Sequence, residues 1–276
     1  LDFRMGVTGM NDPAGSCKTA VGRLCDEGGG TMGGKDRFLL PGERATFETC
    51  IKDPPCLAYK GRGHGLINAA AAITQHLPRQ AGDPGRIRPE AEVAVIAVST
   101  GGAASISEAA GKAVPFGPCM LAPADQAIVD EVVAPHARLM RGDPDPATRS
   151  TFHVIGLVCG SPCEIPLSGV VAHGYTDLAA QTGGVAGDLC QDDLRYTLDE
   201  IVDSIAASAS PVRLEHVPIS ASLAAALDGK ALSRSRVKGF DYRRSSNALV
   251  FVNTPYHKGS EVVASYRRWA GQPVVE

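Results

Sequence analysis

Residues 92–102, EVAVIAVSTGG, constrain this chain more than any other stretch. The six apolar residues at 93–98 include several β-branched side chains, a pattern typical of a strand buried on both faces of a parallel sheet. The strand ends in Ser99, Thr100 and two glycines, and open α/β sheets bind ligands at the carboxyl ends of their strands. We therefore expect this end to line any functional crevice. A core strand followed by a plain glycine turn is the simpler interpretation, so the role of the turn stays open.

In other segments of the chain, apolar residues recur at the spacings typical of strands and helices. Residues 151–159 repeat its apolar character and predict a second buried strand. Helices are predicted over residues 66–77, 124–140 and 192–207, and Pro135 is expected to kink or end the second of them. Because the strands alternate with helices, the pattern favours a parallel sheet.

The pattern changes in the last quarter of the chain. Residues 220–230 alternate in polarity and lead into Asp228-Gly229, a strong hairpin signal. Further strands are predicted over residues 237–242, 248–252 and 261–269. We therefore expect an α/β domain over residues 1–210 and a small antiparallel β module over residues 211–276.

Composition excludes several classes of protein. The chain has 276 residues, of which 44% are hydrophobic, enough to build a substantial core. A formal net charge of -3 offers no electrostatic case for binding nucleic acid or an anionic membrane. No apolar run is long enough to span a bilayer. Residues 1–8 already read as a strand, without an initiator Met or a signal peptide, so we expect a processed product or a fragment.

The chain contains 8 cysteines, and most of them lie beside Gly, Pro, Asp or Ser, as loop residues do. Their even number and short spacings favour disulfides and an oxidising compartment over reduced thiols in the cytosol. The expected bridges are Cys17–Cys25, Cys50–Cys56, Cys163–Cys190 and Cys119–Cys159. For Cys159, Cys163 and Cys190 the alternative to disulfides is a Cys₃His zinc site, which they would form with His173.

An enzyme is the other alternative. A secreted hydrolase could use Ser99 or Thr100 at the strand edge, or Ser105 just after it, as its nucleophile. The GxSxG motif of a nucleophile elbow is missing, however, and no histidine shows a spacing tied to a serine or an acid. We therefore expect no catalytic residues.

Taken together, these segments resemble a von Willebrand factor A domain of the bacterial secreted type. In this resemblance, residues 1–8 correspond to the family's second strand and residues 22–24 follow it. Residues 47–73 correspond to the next loop and helix, and residues 94–100 and 151–159 to the fourth and fifth strands. Residues 188–205 correspond to the last strand and helix, and residues 219–266 to a β module. It implies a Rossmann-like, doubly wound, mostly parallel sheet. It also implies a non-enzymatic role in binding, adhesion or assembly in the bacterial periplasm, at the cell surface or in the medium.

The chain departs from the family at the metal site. The first strand, which carries the DxSxS motif, would precede Leu1, and the fourth strand ends in Ser99 and Thr100 instead of an aspartate. The preceding loop offers Arg62 and His64 where the family has a threonine. Because Mg²⁺ requires carboxylate oxygens, we expect neither a metal nor a cofactor. These four residues are instead expected to contact a ligand at the strand-end crevice.

The resemblance also places the absent first strand between residues 1–8 and residues 93–98. Without that strand, a row of buried backbone groups would lack partners, at ~1–3 kcal/mol each. We therefore expect a strand from outside these residues, either an upstream segment or a donor strand from a neighbouring subunit in a homo-oligomer or larger assembly. Direct pairing of residues 1–8 with residues 93–98 would contradict this expectation.

Overall fold

The computed structural model describes residues 3–10, 13–14, 20–25, 36–52, 63–89, 91–111, 119–161, 171–208, 212, 214–235, 238–244, 247–252, 254 and 260–268. Its helices are α1 (Arg44–Lys52), α2 (Gly65–Gln75), α3 (Ala104–Ala109), α4 (Pro123–Met140), α5 (Tyr175–Thr182) and α6 (Arg195–Ser208). Its strands are β1 (Val93–Ser99), β2 (Ser150–Gly156), β3 (Ala186–Asp188), β4 (Ala224–Leu227), β5 (Lys230–Leu232), β6 (Gly239–Arg243), β7 (Ala248–Val252) and β8 (Val262–Ser265).

A three-stranded parallel sheet, in the order β1-β2-β3, organises the first part of the chain. β1 pairs with β2 along its whole length, from Val93 opposite Ser150 to Ser99 opposite Gly156. β3 pairs with the other edge of β2. Both strands predicted from the apolar runs are present, and β2 is buried as predicted, but β1 is not buried on both faces because Ile96 and Val98 are exposed. The mixed α/β fold, which combines a parallel sheet with small antiparallel sheets, is confirmed.

One face of this sheet carries the main core. Val95 lies opposite Phe152 and Ala97 opposite Val154, so the side chains of both pairs project to the same face. There they pack against apolar side chains of α2, α4 and α5. Parallel strands need such a helical cover because their connections run as crossovers over the sheet.

Helix α4 continues past Pro135, so the second of the two predicted effects of this proline, an end to the helix, does not occur. The helix begins with Pro123 in its first turn and has Asp125 close behind, as favoured at a helix start. Pro135 does not end it, because α4 continues to Met140. Val133, Ala137 and Met140 on either side of the proline are buried in the core, and this packing compensates for the backbone hydrogen bond that proline cannot donate.

Helix α6 buries less than its sequence predicts. The apolar spacing places Leu198, Ile201 and Val202 on a core-facing side, yet only Ile201 is buried, and Leu198 and Val202 are exposed. Successive residues of a helix are turned by about 100°, so Val202 cannot share the direction of Ile201. The prediction is therefore wrong for Leu198 and Val202.

The N-terminal residues form a small cluster of their own. Met5 and Leu39 pair in an antiparallel bridge, with Met5 N–H donating to Leu39 O at 2.9 Å. Cys25, Leu39 and Cys50 are buried together, and Cys25 is joined to Cys50 by a disulfide with a Cα–Cα distance of 5.8 Å.

This bond corrects two predicted bridges. Cys25 cannot pair with Cys17, nor Cys50 with Cys56, because Cys25 and Cys50 pair with each other. Short sequence spacing suggested the local bridges, whereas the packing of α1 against the 20–25 turn brings the distant pair together. Cys17, Cys56 and Cys163 lie outside the described residues.

The last part of the chain is antiparallel, as predicted. β4 lies between β5 and β8 in one sheet, and β6 pairs with β7 in a hairpin. Asp228 and Gly229 join β4 to β5 with φ angles of 49° and 75°, the left-handed geometry of the predicted tight turn. Asn247, with φ of 49°, precedes β7 in the same way. Leu223, Phe240 and Leu249 are among the buried residues of the module's core.

Contacts divide the chain into two compact units, residues 1–201 and residues 202–276. The division falls inside α6, whereas the sequence places the boundary between residues 210 and 211. The first unit holds the parallel sheet, and the second holds the antiparallel strands.

A fully buried histidine lies in the middle of β2. His153 Nδ1 accepts a hydrogen bond from the Val185 N–H at 3.1 Å, which leaves the ring proton on Nε2. Nε2 has no partner among the described residues. Desolvation lowers the pKa of His153 from 6.5 to about 4, because a charged ring would be buried without compensation.

Stability should therefore fall on acidification. Between pH 6.5 and about 4 the unfolded chain binds a proton at residue 153 that the folded chain does not, so the free energy of unfolding decreases as pH falls through this window. The full loss is about 3 kcal/mol. His153→Asn, whose side-chain oxygen can still accept from Val185, should flatten that part of the profile in urea denaturation.

His216→Asn is the matched control, because His216 is exposed. It should leave the profile unchanged. Desolvation also lowers the pKa of His136, which remains in both variants and so cancels in the comparison. Equal acid sensitivity of the parent and His153→Asn would show that the buried ring is not the cause.

Candidate binding edge of the parallel sheet

Three chain segments meet at the carboxyl end of β1. The segment after β1 enters α3, where the Ala104 N–H donates to Gly63 O at 3.0 Å, just before α2. The Ala103 N–H donates to His173 O, also at 3.0 Å, just before α5. Two sequence-predicted site residues, Ser99 and His64, are therefore on neighbouring segments. Arg62 lies outside the described residues.

Ser99 is engaged within its own turn. Its hydroxyl donates to Gly101 O at 2.9 Å, and its oxygen accepts from the Gly101 N–H at 3.3 Å. This local pattern stabilises the turn that ends the strand. A serine nucleophile instead needs a base within hydrogen-bond reach, and both hydrogen bonds of Ser99 are to Gly101. Thr100 is exposed and carries a hydroxyl to the surface.

His64 is buried at the start of α2. Its Nε2 lies 3.3 Å from Glu108 Oε1, a carboxylate that reaches it from α3. Its carbonyl accepts from the Asn68 side chain at 2.9 Å, and its N–H donates to Met10 O at 3.3 Å. His64 therefore links α2, α3 and the N-terminal segment, and its partner Glu108 is exposed to solvent.

Tyr175 holds the same junction together and was not singled out by the sequence. Its hydroxyl donates to Gly63 O at 2.8 Å and accepts from the Gly65 N–H at 3.0 Å. Burial raises its pKa to about 12, so the hydroxyl stays protonated and able to donate. Its ring stacks on Phe152 with centroids 6.3 Å apart, which ties the junction to the sheet.

Asp177 is a second residue that sequence reasoning missed. Its carboxylate accepts from the Gly174 N–H at 2.8 Å and so caps α5. Its Oδ2 also lies 3.9 Å from His173 Nδ1. Gly174 has φ of 85°, and a Cβ there would meet Ile106 at 2.6 Å, so glycine is required. The sequence did offer a signal for this helix start, namely an acidic residue three positions after a glycine. Acidic residues are favoured in the first turn of a helix.

The carboxylate at the end of β3 is already engaged. Asp188 Oδ1 accepts from the Ser161 hydroxyl and from the Cys190 N–H, each at 2.9 Å. Within the described ranges, no three His, Cys, Asp or Glu side chains are grouped closely enough to hold a metal ion. His64, Tyr175, Asp177 and Asp188 are thus used to hold neighbouring segments, whereas Thr100 is exposed.

The expected Cys119–Cys159 bridge is not formed, and Cys190 is not available for the alternative zinc site. Cys190 is disulfide-bonded, which removes its sulfur from any zinc site. Cys119 and Cys159 are exposed thiols, so the predicted Cys119–Cys159 disulfide is wrong for this structure.

No family model, curated protein or solved structure matches this chain. In the part of the chain that the structure describes, none of the helices combines the length and the apolarity needed to cross a membrane.

The contacts of Tyr175 predict a measurable contribution to stability. Tyr175→Phe keeps the ring but leaves the buried Gly63 carbonyl and Gly65 N–H without their partner, at a cost of about 1–3 kcal/mol. Tyr196→Phe is the matched control, because Tyr196 is 76% exposed, and it should change the free energy of unfolding by less than about 0.5 kcal/mol. Urea denaturation measures both, and equal values for the two variants would contradict the assigned role.

Proposed function

We propose that this chain is a non-enzymatic binding or assembly module of the von Willebrand factor A type, with a doubly wound Rossmann-like domain and a β module. The observation that carries the proposal is the unshared edge of β1. Within the described residues, β2 is the only strand beside β1. Residues 93–99 make no other backbone hydrogen bond there.

The side chains of β1 are those of an interior strand. Natural edge strands carry charges or proline that discourage further pairing, and β1 contains neither. Ile96 is 45% exposed and Val98 is 57% exposed, although their register partners His153 and Ile155 are buried. An apolar strand whose second edge has no partner among the described residues is suited to accept another strand, because the added strand would satisfy its backbone groups and place side chains beside Ile96 and Val98.

The described N-terminal residues 3–8 do not pair with β1. Met5 pairs with Leu39, and none of the described residues 3–8 forms a bridge with β1. The pairing that would have contradicted an inserted strand is therefore absent from the described residues. We propose that a protein strand, from an upstream segment or a neighbouring subunit, occupies the edge of β1.

The proposed compartment is extracytoplasmic. The buried Cys25–Cys50 disulfide supports this part of the proposal, because disulfides form and persist in oxidising environments. The strand-end residues Ser99, Thr100 and His64, with Arg62, are proposed as a secondary ligand contact. Thr100 is the exposed member of the three described residues.

The edge of β1 can be tested with charged substitutions. The double variant Ile96→Lys/Val98→Lys should abolish association, because lysine on an edge strand opposes further pairing. Both side chains are exposed, so the change should leave the fold of the unbound chain intact. Native mass spectrometry measures the assembly, and hydrogen exchange measures protection of residues 93–99.

Val263→Lys is the matched control, because Val263 is an exposed apolar residue of β8 that pairs with β4. It should leave the assembly unchanged. The added mass distinguishes an upstream peptide, a second copy and a different protein. A parent protein that carries no added chain and exchanges its 93–99 amides rapidly would contradict the proposed strand acceptor.

The hydrolase alternative is tested independently of association. Ser99 lies in a closed local turn, so we expect no labelling of Ser99 by a fluorophosphonate probe. Ser105 should also stay unlabelled, because its hydroxyl oxygen is buried. Labelling that is lost in Ser99→Ala or Ser105→Ala would favour the secreted hydrolase.

A further inference from the structure

The two outer strands of the parallel sheet differ as edges. β3 contains three residues and ends in Asp188, whose carboxylate is held by hydrogen bonds. A short strand with a charged residue is typical of an edge that is protected against further pairing. β1 contains seven residues and has neither a charge nor a proline. In the described sheet, β1 is therefore the edge that is open to a long partner strand.

The hydrogen bonds of β2 show which backbone groups face this open edge. The Val154 N–H donates to Val185 O at 2.9 Å, on the side of β2 where β3 lies. Successive residues of a strand direct their N–H and C=O groups to opposite edges, so His153 faces β1. In a parallel ladder, a residue bonds to the two residues that flank its register partner. The partner of His153 is Ile96, so the flanking residues bond to β2 and Ile96 faces the open edge.

Within β1, the open edge thus carries the N–H and C=O groups of Ala94, Ile96 and Val98. These groups are self-complementary. When a second β1 lies antiparallel with Ile96 opposite Ile96, Ala94 of each copy lies opposite Val98 of the other. Residues that face each other in this way exchange both of their N–H···O bonds. Each free N–H and C=O group of both strands then has a partner.

The side chains match in the same register. Ala94 comes opposite Val98 on one face of the sheet, and Val95 comes opposite Ala97 on the other, so a small residue faces a larger one in each pair. Ile96 lies opposite its own copy, on the face where Ile96 and Val98 are exposed. The added strand therefore places apolar side chains beside both exposed residues.

Charge and symmetry favour the antiparallel direction. The exposed Glu92, just before β1, comes opposite the exposed Thr100 of the other copy in this register. Two parallel strands aligned residue for residue would instead place the two Glu92 carboxylates opposite each other, which is destabilising. A twofold axis perpendicular to the sheet relates the two strands in antiparallel directions, so both copies use the same surface.

We propose that the strand that occupies the open edge is β1 of a second copy of this chain, paired antiparallel about a twofold axis at Ile96. This inference rests on the strand-accepting edge proposed above and identifies its occupant. The two parallel sheets become one continuous sheet in the order β3-β2-β1-β1-β2-β3. Because the β1 edges of both copies are used, association stops at a dimer.

The parent chain tests the stoichiometry. Native mass spectrometry should show two copies without an added peptide, and Ile96→Lys/Val98→Lys should be a monomer. Hydrogen exchange should be slower at the Ala94, Ile96 and Val98 amides of the parent dimer than at residues 94, 96 and 98 of the monomeric variant.

Cysteine cross-linking tests the register, in a Cys119→Ser/Cys159→Ser background because both of these thiols are exposed. Ile96→Cys should form an intermolecular disulfide with itself, since facing residues of this kind have Cα atoms about 5.5 Å apart. Ala94→Cys and Val98→Cys should each fail to link to themselves, because identical residues two positions from the axis are about 14 Å apart. A mixture of the two variants should link residue 94 to residue 98, as peptide mapping would show.

Val263→Cys in the same background is the matched control, because Val263 is exposed on β8, and it should stay unlinked. A single copy bound to an upstream peptide or to a different protein would overturn the dimer and leave the strand acceptor standing. A single copy with no added chain and rapid exchange over residues 93–99 would overturn both. A dimer in which Ala94→Cys or Val98→Cys links to itself, or Ile96→Cys does not, would overturn the twofold pairing at Ile96.

Discussion

The parallel ladder between β1 and β2 is the interaction on which the rest of the first unit depends. It aligns Val95 with Phe152 and Ala97 with Val154, which creates one continuous apolar face. α2, α4 and α5 cover that face, and their side chains make up most of the main core. Parallel pairing also brings the ends of β1 and β2 to the same side of the sheet, so the segments that follow them are neighbours.

The junction at the end of β1 is held by buried polar contacts. Tyr175 bonds to the backbone on both sides of His64, and His64 contacts Glu108. Asp177 caps the helix that begins with Tyr175. Buried polar groups that are satisfied in this way fix one arrangement of the segments, because breaking any contact would leave a desolvated partner. These side chains therefore position the edge, and the exposed Thr100 and Glu108 are the groups that it presents to solvent.

The same ladder creates the main contradiction in the fold. β1 has the sequence of a strand buried on both sides, but it ends the described sheet. Its exposed Ile96 and Val98 lie beside the buried His153 and Ile155 of β2, so one strand is covered and the next is bare. The proposed strand-accepting role would resolve this contradiction.

The sequence by itself determined the strands β1 and β2, the helices α2 and α4, and the Asp228-Gly229 hairpin. Each of these elements is predicted by the spacing of apolar residues within one short segment or by the residue types of one turn. Only the tertiary structure decided that Cys25 bonds to Cys50, that Tyr175 bonds across 112 residues to Gly63, and that α6 leaves Leu198 and Val202 exposed. These features depend on which distant segments pack together. The spacing of apolar residues along one segment does not specify which distant residues it will contact. A loop can bring many alternative residues within bonding distance at a similar entropic cost.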